Sequence, residues 1–229
     1  MKKAMLLHLT GIVVLLIATF FFIQILGCHS PGGSAENTST GASQEPDKEI
    51  VIDIDGIQYH TITIGNQEWM VENLKSKRFR TGDPIPEVTD PSRWRKMKSA
   101  AMCSYDNDTI NITAYGRLYN GYAVTDPRGI CPAGWRVASD ADWYVLTNSM
   151  GGELQAGRQL MEGGFTALFS GYRNLRGEFH TLGAYGFFWT STEETEQTLM
   201  SRFIQSDWQG ISRLDNPKNY GFSVRCIKE

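Results

Sequence analysis

The chain has 229 residues, with 22 Lys and Arg against 25 Asp and Glu, a formal net charge of −3. The charges are mixed along its length, which gives a solvated surface and no basic patch of the kind a nucleic-acid partner needs. Once its N-terminal segments are set apart, what remains is the size of one domain.

Residues 1–27 read as an export segment. Lys2 and Lys3 make a basic start, and Leu9 to Leu26 is almost wholly apolar, broken by Thr10, Thr19 and Gln24. It ends in Ile25-Leu26-Gly27-Cys28, which resembles a bacterial lipobox. Cleavage there would leave the lipid on the Cys28 thiol and, with Lys2 and Lys3 gone, take the net charge from −3 to −5. The alternative is an uncleaved anchor, because the apolar run is close to the ~20 residues that span a bilayer. Either way the domain is tethered outside the cytoplasm. Residues 28–49 hold no large apolar side chain after Cys28 and are rich in Ser, Gly, Thr and Pro, the composition of a flexible tether. Residues 50–229 are the predicted folded domain.

That domain opens on short strands. Apolar and polar residues alternate through Ile50-Val51-Ile52-Asp53-Ile54 and Tyr59-His60-Thr61-Ile62-Thr63-Ile64, punctuated by Asp55-Gly56 and Gly65-Asn66, so a meander is expected. Residues 75–114 read as irregular, with Gly82, Pro84, Pro86 and Pro91. The basic run Arg93 to Lys98 reads as a solvated face around a packed Trp94. Residues 114–129 read as a short helix ended by Asp126-Pro127 and Gly129. Ser139-Asp140-Ala141-Asp142 is close to a capping box, and Trp143, Leu146 and Met150 follow at helical spacing until Gly151-Gly152. Leu154 to Met161 is a shorter helical segment, ended by Gly163-Gly164. The remainder is β-rich and closes on GFSVRCIK, where Phe222, Val224 and Cys226 alternate against Ser223 and Arg225. Cys226 therefore points inward, placed for a bridge more than for exposed chemistry.

With Cys28 assigned to lipid, Cys103, Cys131 and Cys226 remain in an oxidising compartment, and one pair plus one odd thiol is the simplest accounting. No spacing makes a CxxC, and His60 and His180 are scattered, so neither a zinc site nor any cofactor is expected.

Six stretches, IGNQEWMVENL, YGRLYNGYAV, CPAGWRVASDADW, GFTALFSGYRN, GFFWTST and GFSVRCIK, occur in the order found in the Fibrobacter succinogenes major paralogous domain family. The resemblance runs from about Ile57 to Lys228. It implies an α+β, C-type-lectin-like fold, with short helices packed beside a twisted, mostly antiparallel sheet. It also implies a disulfide between Cys131 and Cys226, with Cys103–Cys131 as the rival pairing. In the first case Pro132 stiffens the turn, Gly134 lets the chain bend, Trp135 fills the core beside the bridge, and Cys103 is a buried odd thiol.

Chemistry-bearing constellations are sparse. Sugar-binding lectins of this superfamily hold calcium with Glu-Pro-Asn or Gln-Pro-Asp followed by Trp-Asn-Asp, and this chain has neither. Asp215-Asn216-Pro217 and Asp106-Asn107-Asp108 read as turns. The sulfatase-modifying enzymes of the superfamily need two nearby reactive cysteines, whereas only Cys226 lies on the terminal strand. No catalytic residues are assigned, and no hydrolase motif or phosphate loop is visible. Glu193-Glu194 reads as part of an exposed loop. The resemblance puts ligand loops between Gly163 and Trp208, so Tyr172, Arg173, Tyr185 and Trp208 become the ligand-binding candidates, by ring stacking and bidentate hydrogen bonding. Trp189 and Phe187 read as core. Asp108-Thr109-Ile110 resembles the O-glycosylation acceptor of Bacteroidetes-type bacteria, which makes Thr109 a modification candidate. The reading is a non-enzymatic envelope lipoprotein that recognises a glycan or an envelope protein; the alternatives are a structural part of a surface assembly and an enzyme related to the sulfatase modifiers. It is expected at the outer membrane. The absence of acid from His29 until Glu36 favours the periplasmic side over the cell surface.

Overall fold

The computed structural model describes residues 49–229; the export segment, Cys28 and the tether lie outside the described residues. The meander is present as β1 (Ile50–Ile52), β2 (Gln58–Ile64) and β3 (Gln67–Met70), turning at Gly56 and Gly65, both at positive φ. The facing of β1 is unexpected. Ile50, Ile52 and Ile54 are 53%, 57% and 49% exposed, while Asp53 is buried. Asp53 points inward because its carboxylate accepts from the Asp55 and Ile57 amides and from the Tyr59 hydroxyl.

Residues 75–114 are less irregular than their sequence implies. Asp90 caps α1 (Pro91–Lys96), with Pro91 in the first turn, where its missing N–H costs nothing. As read from sequence, α1 buries Trp94 and leaves its basic residues in water. Strand β4 (Met102–Cys103) and helix α2 (Ile110–Tyr115) follow. The helix expected over 114–129 does not form as one piece. Gly116 ends α2 at φ 78°, pressed so closely on Asn73 that a Cβ would lie 2.7 Å from the Asn73 Cβ. Leu118–Asn120 then becomes strand β5, because pairing with two neighbours outweighs local preference, and only Gly121–Val124 is helical, as α3.

Past β6 (Trp135–Val137), Ser139 and Asp142 close the capping box of α4 (Asp140–Ser149). Burial works against the Asp142 charge, but hydrogen bonds from Arg136 and Ser139 outweigh it and hold the carboxyl below its ordinary range. Trp143 and Leu146 are fully buried and Met150 nearly so. Helix α5 (Glu153–Glu162) ends at Gly163. The β-rich remainder is β7 (Ser170–Arg173), β8 (Phe179–Leu182), β9 (Tyr185–Thr195), β10 (Thr198–Gln205), β11 (Ile211–Pro217), β12 (Gly221–Phe222) and β13 (Cys226–Lys228). Asp215-Asn216-Pro217, expected as a turn, belongs to β11. Exposed Glu193 and Glu194 end β9, where the register with β10 shifts.

The strands form two sheets. One runs β1-β2-β3-β13-β6; the other runs β11-β10-β9-β7-β12-β5-β4, with β8 added to β7. All pairings between these strands are antiparallel except β7 with β9. The domain is therefore α+β. Residues 221–228 stitch the sheets together, because β12 lies between β5 and β7 and β13 lies between β3 and β6.

That placement overturns the one-sided reading of GFSVRCIK. Phe222, Val224 and Cys226 are buried, but so are Ser223 and Arg225. The Arg225 guanidinium donates to Asn73 Oδ1 (2.8 Å) and to the carbonyls of Met70 (3.1 Å), Phe165 (2.8 Å) and Thr166 (2.8 Å). It also lies over the Phe165 ring, 4.4 Å from its centroid. Thr166 sits at φ 51°, an uncommon conformation for a β-branched residue, and its carbonyl is one of the acceptors on this cation.

Candidate functional site

The eight-stranded sheet has two unlike faces. On β9, Phe188 packs under α4 against Trp143, with ring centroids 5.4 Å apart. Tyr185, Phe187 and Trp189 alternate with it and lie on the opposite face. The register pairs Phe187 with Phe203 and Tyr185 with Gln205 on β10, and β7 and β12 add Tyr172 and Phe222. The rings touch in sequence. Phe187 is 5.3 Å from Phe203, 4.9 Å from Tyr172 and 4.9 Å from Phe222, and Tyr220 is 5.5 Å from Phe222. Trp189 and Phe222 are buried beneath this layer, while Tyr172, Tyr185, Phe187, Phe203 and Tyr220 are half-buried and form its outer surface.

Several planes in the row are close to parallel, with 17° between Tyr185 and Phe187, 22° between Phe187 and Phe203, and 20° between Phe187 and Phe222. Polar groups fringe them. Gln205 donates to the Tyr185 hydroxyl at 2.6 Å, and the Asn174 amide lies 2.9 Å from His180 Nε2, the His180 ring being 5.4 Å from that of Tyr172. Burial, and then the neighbouring Tyr220 and Tyr185, raise the Tyr172 pKa, so its hydroxyl is neutral at physiological pH and able to donate. The result is an apolar surface of packed rings, Tyr172 edge-on to Phe187, fringed by hydrogen-bonding groups. It can stack on a planar or ring-shaped ligand and bond to its edges.

Of the four ligand candidates, this face unites Tyr172 and Tyr185. Both lie on strands of this β-rich stretch, Tyr172 on β7 and Tyr185 on β9, and not in the ligand loops that the resemblance puts within it. Arg173 is a correction. It is fully buried, and its guanidinium donates to the carbonyls of Gly177, Val88 and Thr89 while lying over Trp94 and Phe179. Strand alternation turns Arg173 inward just as it turns Tyr172 out. Trp208 stands apart in the β10–β11 turn, folded over Gly210, where an added Cβ would lie 2.3 Å from its ring. Phe187, read as core, is only half-buried. The aromatic face also contains Phe203 and Tyr220, which were not among the sequence candidates. The period-two spacing of Tyr185, Phe187 and Trp189, and of Phe203 and Gln205, carried that signal.

Cys131 and Cys226 are joined by a disulfide, with Trp135 in the same core cluster. Cys103 is free and buried, and burial pushes its thiol pKa up to about 12. Thr109 is exposed beside exposed Asp108 and Ile110, and its side chain makes no capping bond to α2. Among the described residues, no three His, Cys, Asp or Glu side chains are grouped to share a metal ion, and no helix is long and apolar enough to cross a membrane. Two shallow clefts, of about 250 Å³ beside Pro132 and about 390 Å³ beside Tyr122, are lined by arginines already bonded, Arg80 to the Cys131 and Trp135 carbonyls and Arg128 to Asp126.

Residues 62–228 match the profile of the Fibrobacter succinogenes major domain, which covers nearly all of the described structure. The chain belongs to this family. No curated protein and no solved structure matches it. The family domain begins within β2, so β1 precedes the matched region.

Proposed function

We propose that this domain is a non-enzymatic recognition module of the cell envelope, and that its aromatic sheet face holds a glycan. The observation that carries this reading is the layer of half-buried rings, Tyr172, Tyr185, Phe187, Phe203 and Tyr220, on a rigid sheet with hydrogen-bonding groups at its margin. Sugar rings offer apolar C–H faces and polar edges, which suits such a surface. A C-type-lectin-like fold is supported by short helices beside mostly antiparallel sheets and by a bridge from the stretch before α4 to the last strand. A non-catalytic role is supported by the state of the cysteines. A sulfatase-modifier chemistry needs a reactive pair, whereas Cys226 is bonded to Cys131 and burial keeps Cys103 protonated.

The test is a glycan array with residues 49–229 produced under oxidising conditions. Binding to one glycan class is expected, unaffected by chelation of calcium. Tyr172→Ala should weaken it about tenfold, the scale of one lost ring contact, and Trp208→Ala should leave it unchanged. A blank array from folded protein would overturn the glycan reading. Crosslinks from the same face to another envelope protein would then transfer the surface to a protein partner or a surface assembly.

The lipid on Cys28, an outer-membrane position facing the periplasm and a glycan on Thr109 belong to the same proposal. Peptide mass mapping of the protein extracted from its native envelope is expected to find an acylated N-terminal Cys28 and added hexose-type mass on the peptide containing Thr109. An unmodified Thr109 peptide would remove the glycosylation site, and an intact segment before Cys28 would replace the lipid by an anchor.

A further inference from the structure

Strand β11 ends the eight-stranded sheet, and its outer edge is open. The direction of its backbone groups follows from two bonds. The Lys218 amide donates to the Gln197 carbonyl at 2.9 Å, and the Leu214 carbonyl accepts from the Ser201 hydroxyl at 3.3 Å. Backbone groups in a strand alternate sides, so Ser212, Leu214 and Asn216 face β10, while Arg213 and Asp215 point their N–H and C=O groups away from the sheet. Among the described residues nothing bonds those outward amides. The β10–β11 ladder runs without a bulge from Ile211 to Pro217, and Arg213, Leu214 and Asp215 are all exposed. A regular edge whose outward amides are unbonded is a template for one more strand, α5 packing beside the start of β11, where the Arg158 amide donates to the Gln209 carbonyl at 2.9 Å.

We infer that this strand is β11 of a second copy of the chain, paired antiparallel about a two-fold axis at Leu214. The sequence Ser212-Arg213-Leu214-Asp215-Asn216 is self-complementary in that register. Arg213 of each copy falls opposite Asp215 of the other, and Ser212 falls opposite Asn216. Leu214, 43% exposed in the single chain, meets its own copy. The outward groups of Arg213 and Asp215 form the hydrogen-bonded pairs on either side of the axis, four backbone bonds in all on antiparallel geometry. The charges are free to pair. Arg213 uses only Nε on Asp140 (2.8 Å), which leaves its terminal nitrogens, and Asp215 is in no ion pair among the described residues. A closed two-fold contact of this kind also removes an edge that would otherwise recruit strands indiscriminately.

The pairing stands independently of the glycan reading, because it uses only the strand edge. It has a consequence for that reading all the same. Leu214 lies opposite Ser201, on the same face as Phe203, and a two-fold axis perpendicular to the sheet keeps both aromatic faces on one side. The dimer would present two such faces side by side, a geometry that raises avidity for a repeating polymer.

The test uses the full chain, with its N-terminal segment, extracted in mild detergent. Sedimentation is expected to give a dimer, and Leu214→Cys is expected to crosslink between copies on oxidation while Leu154→Cys, exposed on α5, does not. Asp215→Arg places like charges opposite each other on both sides of the axis and should weaken the dimer at least about tenfold. Asp215→Pro removes an outward N–H without touching the β10 ladder and should do the same. Unchanged far-UV circular dichroism in both variants shows that the domain itself is intact. A monomeric wild-type protein overturns the inference, as does a dimer that neither Asp215 variant weakens or that fails to crosslink through Leu214→Cys.

Discussion

Replacing Arg225 by Met is expected to cost about 3–5 kcal/mol of folding stability, the range for removing one partner from a buried charged network. The guanidinium occupies the middle of the segment that joins the two sheets, and among the described residues it bonds to no carboxylate. Burial pushes its pKa down to about 9, so at neutral pH it is still a cation. Its charge is carried by three carbonyl oxygens, the Asn73 side chain and the faces of Phe165 and Phe188. Methionine fills similar volume but leaves four buried acceptors without that donor, each a loss on the order of 1 kcal/mol or more. Arg225→Lys should recover little, because a single ammonium cannot span acceptors contributed by β3, the loop after it and the loop after α5. Urea unfolding checks both variants. A fall in midpoint at unchanged slope is expected, and a loss under about 1 kcal/mol for the Met variant would show that the loop carbonyls find other donors.

Removing the Cys131–Cys226 bridge is the second large effect. It closes a separation of 95 residues, for which the chain-entropy estimate is about 4–5 kcal/mol. For a domain of this size that corresponds to a drop in melting temperature of roughly 10–15 °C. The bond also ties the turn before β6 directly to β13, whose Cys226 pairs with Val137. A paired Cys131→Ser, Cys226→Ser variant should therefore melt early under oxidising and reducing conditions alike, while the wild-type protein should lose the same stability only on reduction. Cys103 gives an internal control. Buried and protonated, it should resist thiol reagents until the domain unfolds. Equal melting temperatures for oxidised and reduced wild-type protein would mean that packing alone holds β13 in place.

How far the sequence could be read depended on how local each cause was. The capping box at Ser139 and Asp142, the glycine stops after α4 and α5, and the turns at Gly56 and Gly65 rest on residues within a few positions of one another. These were legible as written. So was Trp94 under a basic face, because a lone large ring among charges has one way to be buried. Where neighbours in space compete with neighbours in sequence, the reading failed. Leu118–Asn120 looks helical until β4 and β12 pair with it. Arg173 looks like a binding residue until strand alternation and the carbonyls of Val88 and Thr89 are placed around it. Arg225 looks solvent-facing because alternation gives it a side, but it lies in the link between β12 and β13, where Asn73 and the Phe165 and Thr166 carbonyls after α5 close over it.

The sequence by itself determined the class of the domain, its family and the limits of α4 and α5, because these follow from spacing and ordered motifs. The tertiary structure alone decided which rings share a face, which arginine is buried, and which strand edge stays open. Those depend on register between strands separated by tens of residues, and a shift of one position would move every ring on a strand to the other side.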